Sequence, residues 1–162
     1  MRRVLIFGNS GSGKSTLAWQ LAEKSKLVHL DLDILAWLPT TPPERASLSD
    51  SKEKIAKFTK SQDNWVIEGG YTDLLELLAC EANEIIFMNL PVDLCVENAK
   101  NRPWEPHKYE SKEAQDKNLE MLISWIRQYK EREGVFSFDS HMNFYEKYSG
   151  SKKMITSNGK NL

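Results

Sequence analysis

The sequence predicts an α/β fold, a parallel sheet with helices on both faces. Two observations carry this. Short continuous apolar runs rich in β-branched residues recur along the chain, and longer stretches between them place apolar residues at helical spacing. There is no internal repeat and no long linker, so the 162 residues read as one domain, 1–162, large enough to bury a core.

Val4-Leu5-Ile6-Phe7 opens the sheet as a strand covered on both sides. After a Gly/Ser stretch, Leu17, Ala18, Leu21 and Ala22 mark one face of a helix, and Lys24 and Lys26 suit its negative end. Val28-His29-Leu30 is the second strand. The run from Leu32 to Leu38 is apolar, broken by Asp33 and stopped by Pro39, and 39–50 is a polar, Pro-rich surface excursion. Ser51 to Ser61 reads as a helix that inserts Ile55 and Phe58. Trp65-Val66-Ile67 is the third strand, closed by Glu68-Gly69-Gly70, and Leu74, Leu75, Leu77 and Leu78 form a short buried helix.

Ile85 to Leu90 is the fourth strand, and Pro91 fits the first turn of the helix behind it. A second Pro-rich break at 101–106 ends that helix. From Ser111 to Glu131, residues Leu119, Leu122, Ile123, Ile126 and Tyr129 trace one face of a long helix. Asp139 or Ser140 caps a short helix carrying Met142, Phe144, Tyr145 and Tyr148. Lys153 to Thr156 is a last strand, and SNGKNL a polar tail.

Composition excludes several classes. The 22 Lys+Arg balance 23 Asp+Glu to a net charge of −1, which gives no bulk electrostatic case for nucleic acid or membrane. No basic cluster interleaved with aromatics suggests a nucleic-acid surface. Behind Met1-Arg2-Arg3 the apolar run stops at Phe7, short of the ~7–15 residues of a secretory signal, and nothing approaches the ~20 of a membrane helix. Cys80 and Cys95 lack disulfide or metal-ligand spacing and read as small buried hydrophobes. The expectation is a cytoplasmic protein.

Gly8-Asn9-Ser10-Gly11-Ser12-Gly13-Lys14-Ser15, followed by Thr16, matches the phosphate-loop pattern G-x-x-x-x-G-K-[ST] between a strand and a helix. Glycines let backbone N–H groups turn toward phosphate oxygens, and the helix adds its positive end. Lys14 reaches the terminal phosphates and the Ser15 hydroxyl ligates Mg²⁺. ATP and Mg²⁺ are the expected cofactors. No Asn-Lys-x-Asp run for reading guanine is present, and two Pro-rich excursions suit a small-molecule kinase, whose moving parts exclude water from the γ-phosphate.

The loop GNSGSGKST with the segments LDILAW and WVIEGGY resembles the small P-loop kinases related to adenylate and shikimate kinases, including members labelled adenylate kinase-like or topology modulation protein. The resemblance covers nearly the whole chain. It implies a P-loop NTPase with a five-stranded sheet in the order 2-3-1-4-5, a substrate-binding segment near 33–62 and a lid near 101–112. By the same likeness Asp31 supports a Mg²⁺-bound water and Asp33 orients or deprotonates the acceptor. In an extended Asp-x-Asp both carboxylates face one side. The bland alternative is that one of them caps the helix near Ile34.

Glu68 stands where relatives carry Asp and is a second candidate for the metal shell, while Gly69 and Gly70 let backbone approach the acceptor. Asn89 is read as structural. Trp37 walls an aromatic acceptor pocket, whereas Trp65 and Trp125 belong to the core. A cation over the γ-phosphate is needed as charge shifts. Arg102 in the lid is the first candidate and Arg132 the next, with Arg127, His107 and Lys108 behind them.

The reading is an ATP-dependent kinase acting on a small acceptor, with a nucleoside monophosphate favoured. The alternatives are a regulatory ATPase that works through a partner, and a nucleotide-binding module without turnover.

Overall fold

The computed structural model describes residues 1–40 and 42–159. Along the chain run β1 (Arg3–Gly8), α1 (Lys14–Ser25), β2 (Val28–Asp31), α2 (Leu32–Ala36), β3 (Trp37–Leu38), β4 (Glu44–Arg45), α3 (Leu48–Ser61), β5 (Trp65–Glu68), α4 (Thr72–Leu78), β6 (Glu84–Met88), α5 (Val92–Lys100), α6 (Lys112–Arg127), α7 (Phe138–Lys147) and β7 (Ser151–Ile155).

Five strands form one parallel sheet in the order β2-β5-β1-β6-β7. Counted without the β3–β4 hairpin this is 2-3-1-4-5, the order implied by the resemblance. Alternation along the central strand explains the two layers. Val4 and Ile6 pack with Leu17, Leu21, Val96 and Ile126 beneath α1, α5 and α6. Leu5 and Phe7 pack on the opposite face with Leu32, Ile55, Leu74 and Phe144, from α2, α3, α4 and α7. The run Val4 to Phe7, apolar at every position, is therefore buried at every position.

Several boundaries differ from expectation, each for a local reason. α3 starts at Leu48 because the Ser47 side chain accepts from Asp50 N at 3.1 Å. α7 starts at Phe138, since a reciprocal Ser137–Ser140 capping box stands where Asp139 or Ser140 was expected to cap. Inside the Pro-rich excursion, β3 and β4 pair antiparallel, and Ala46 N donates to Ala36 O at 2.8 Å. Thr41 of that excursion and 160–162 of the polar tail lie outside the described residues.

The long helix ends at Arg127 rather than Glu131. Tyr129 turns inward there, its hydroxyl 2.6 Å from buried His141 Nδ1, and Phe138 N donates to its carbonyl at 3.1 Å. Two core expectations fail. Trp65 is buried, but Trp125 is 39% exposed, its ring covered by the Arg132 guanidinium at 3.4 Å. Cys95 is buried, whereas Cys80 is exposed just past α4. Asn89 is structural: its N–H donates to Ile155 O at 2.7 Å and its amide meets Met154 Sδ at 3.5 Å. Among the described residues, no helix is long and apolar enough to cross a membrane.

Candidate active site

The parallel sheet brings the carboxyl ends of β1, β2 and β5 to one edge, where open α/β sheets bind ligands. The loop after β1 turns into α1 through Gly13, the N-cap at φ 87°, and no acidic residue in the first turn offsets the helix's positive end. Gly11 has φ 76°, and a Cβ there would stand 2.3 Å from Cys95 O, so only glycine lets the loop lie against α5. Asn9 anchors the other side, its amide donating to Ile126 O at 3.2 Å, and buried Ser12 Oγ has no hydrogen-bond partner. Lys14 Nζ donates to Asn9 O at 2.7 Å, folded back over its own loop. Burial pushes this ammonium below the ordinary lysine value, partly offset by Glu68 and Asp33.

Three carboxylates converge on this loop. Asp31 and Glu68 are register partners on β2 and β5, so their side chains share a face. Glu68 is only 2% exposed, and its Oε2 is buried without a hydrogen-bond partner. Burial alone would raise its carboxyl. His29, Lys14 and the Ser15 hydroxyl outweigh that and hold it below the usual range. Asp31 goes the other way, pushed up to about 6 by burial and by Glu68 and Asp33, against Lys108.

Asp31 Oδ1 accepts from Asp33 N at 2.9 Å, so it does cap α2. The expected extended Asp-x-Asp is thus replaced by a strand end and a helical first turn. Both carboxylates nonetheless reach one cation: Lys108 Nζ lies 3.4 Å from Asp33 Oδ2 and 3.7 Å from Asp31 Oδ2.

Lys108 belongs to the segment between α5 and α6, which folds over the phosphate loop. The segment is held to itself: Trp104 Nε1 donates to Tyr109 O at 3.0 Å, and Glu105 gathers Arg102 at 3.1 Å and Lys108 at 3.6 Å. His107 is the outlying member, 3.7 Å from Glu105. Under the segment is a cavity of about 1010 Å³, walled by Lys14, Ser15, Glu68 and Asp33 on one side and by Arg102 and Lys108 on the other. Trp19, Ile34 and Trp104 form its apolar mouth. A second cavity of about 430 Å³ adjoins it between α1, α5 and the chain after β7. Arg102 lines both.

Other predicted residues stand elsewhere. Arg132 lines neither cavity; its fork donates to Phe136 O and Trp125 O, both at 2.7 Å, and so closes the end of α6. Arg127 is paired with Asp93 on the surface at 3.6 Å. Trp37 is 42% exposed, donates to Tyr71 OH at 2.9 Å and lines neither cavity. Gly69 and Gly70 do permit a close approach, but to the protein itself. A Cβ would meet Leu32 at 2.7 Å and the Phe136 ring at 2.2 Å.

Two features escaped the sequence reading. His29 sits on the same strand face as Asp31, a spacing that could have drawn attention to it. Asn98 donates to Gly11 O at 2.9 Å and exchanges amide hydrogen bonds with Asn158, both at 2.9 Å, and these residues lie too far apart in sequence to be linked by pattern.

Oxygen donors suit a magnesium ion. The Ser15 hydroxyl, the buried Glu68 carboxylate and Asp31 Oδ2 are hard ligands beside a phosphate loop. Among the described residues no group of three or more His, Cys, Asp or Glu could cage an ion.

No family model matches the sequence. An uncharacterized protein of Bacillus subtilis (strain 168), YqaC, is 24% identical over 104 residues, 64% of this chain and 58% of its own length. The match thus spans less than two thirds of that relative. Among solved structures, shikimate kinase from Bacteroides thetaiotaomicron superposes with a TM-score of 0.55 at 16% identity, covering 99% of this chain and 89% of that one. Deoxyadenosine kinase from M.mycoides with bound dATP gives 0.52 at 13% identity, covering 96% and 91%. The fold is that of the small P-loop kinases.

Proposed function

We propose that the protein is an ATP-dependent phosphotransferase acting on a small acceptor. The observation that carries this reading is the convergence of a phosphate loop, two buried carboxylates and a cationic lid around one cavity. The triphosphate lies along Gly8–Thr16, its charge met by backbone N–H groups, the α1 terminus and Lys14. The base enters the smaller cavity, where Met88 and Ile155 offer apolar surface and Asn98 and Asn158 a polar edge. Ser15 and Glu68, with Asp31 behind them, would hold a magnesium ion, which would supply positive charge against the phosphates.

The acceptor binds under the lid beside Asp33. At 41% side-chain exposure this is the most accessible of the three carboxylates, and it orients or deprotonates the attacking hydroxyl or phosphate. Arg102, which borders both cavities, supplies positive charge as the γ-phosphoryl group moves. Lys108 holds Asp33 until substrates displace it. A nucleoside monophosphate is the favoured acceptor.

The test is a panel of nucleoside monophosphates and small ring hydroxyl compounds incubated with γ-labelled ATP. Label should pass to one acceptor class, and Asp33→Asn should slow transfer by about 10²-fold or more, the scale of a lost general base. ATP consumed without any acceptor would favour a regulatory ATPase. Transfer by Asp33→Asn at the wild-type rate would remove Asp33 from the chemistry.

A further inference from the structure

Two buried polar atoms face each other across the metal side of the site. His29 Nε2 and Glu68 Oε2 both lack hydrogen-bond partners, and they lie 3.7 Å apart. A buried nitrogen or oxygen left unsatisfied is destabilising, so such a pairing persists only if something compensates for it. The backbone brings it about: His29 pairs with Val66 and Asp31 with Glu68, so His29 and Glu68 lie diagonally on one face of β2 and β5. The gap is about 1 Å longer than the N–H···O⁻ bond of a charge-assisted pair. A small turn of either side chain would close it.

The Ser15 hydroxyl acts on the same carboxyl. Glu68 therefore sits between the hydroxyl expected to touch the metal and an imidazole from the strand edge. A carboxylate that holds a metal-bound water through one oxygen is more effective when its other oxygen is fixed, because its plane then stops rotating. A bare sheet packing role explains His29 less well, since an apolar residue would fill that place without burying an orphan nitrogen.

We propose that His29 is a positioning residue for the metal: its Nε2–H braces Glu68 Oε2 and aims the carboxylate at the magnesium ion beside Ser15. The inference rests on the nucleotide-binding reading above. His29 touches neither nucleotide nor acceptor in this account; it acts through Glu68 alone. Its effect should accordingly appear only when magnesium is present.

The experiment is calorimetric titration of ATP, once with Mg²⁺ and once in EDTA, for wild type and three variants. His29→Ala and His29→Asn, whose amide is too short to reach, should weaken Mg²⁺-ATP binding by about 10-fold or more, the range for lost outer-shell partners. Their affinity for metal-free ATP should stay at the wild-type value. His29→Gln carries an N–H at similar reach and should restore most of the loss. Three results overturn the proposal: an unchanged magnesium effect in His29→Ala or His29→Asn, equal losses with and without metal, or no rescue by Gln. Wild-type protein that binds no ATP would overturn the nucleotide reading itself, and this inference with it.

Discussion

Gly70 shows how little room the turn after β5 leaves. A methyl group there would lie 2.2 Å from the Phe136 ring, and that ring is itself held by Tyr71, Trp125 and His141. Gly70→Ala should therefore cost about 1–3 kcal/mol, the usual penalty for overpacking, measured as a shift in urea midpoint with unchanged slope. An unaltered midpoint would mean that Phe136 moves freely. Legibility at this scale depended on whether a residue's partners are near in sequence. Gly8 to Thr16 could be read because their chemistry lies within one contiguous turn. Asp33 could be placed just past the second strand, but its helical conformation could not, because Asp31 ends the strand and caps α2 two residues earlier. Arg132 looked like a lid cation because no local pattern reveals that its fork faces two carbonyls, at Trp125 and Phe136.

Among the elements, the loop from α6 to α7 is joined to the turn after β5 by a buried strut. His141 Nε2 donates to Gly70 O at 2.6 Å and Nδ1 accepts from Tyr129 OH at 2.6 Å, which fixes a neutral tautomer. Burial is the main cause that drives this imidazole down to about 3, with Lys14 and Arg132 adding to it and the Gly70 hydrogen bond opposing. Its folded value is depressed below the unfolded ~6.5, so the unfolded chain takes up the proton first. Stability should fall as the pH drops from 6.5 toward 3. Between pH 7 and 5 this one group contributes a loss of about 2 kcal/mol. Urea unfolding at the two pH values, compared with His141→Gln, checks it; an equal drop in the variant would clear His141 of the effect. The strut also explains the misjudged end of α6. Gln128 to Arg132 are acceptable helix formers, but Tyr129 gains more by turning in to His141. The β3–β4 hairpin was missed for another reason, since two-residue strands carry no period.

For the molecule as a whole, the sheet was the most legible part. Apolar runs buried on both faces need no long-range information to be recognised, and the two packed layers on either side of β1 are what such runs require. Strand order came from the resemblance rather than from periodicity, and the structure agrees with it. The cavities were not legible, because they form where α1, the lid and the chain after β7 meet, far apart in sequence. The central claim is that this meeting point holds a magnesium nucleotide through Lys14. Calorimetric titration of Mg²⁺-ATP into the wild-type protein and Lys14→Ala tests it most directly. Saturable binding in the wild type, weakened about 10–100-fold in the variant as expected for one charge-assisted contact, is the result the account requires. Absence of ATP binding in the wild type, or equal affinity in Lys14→Ala, would contradict it.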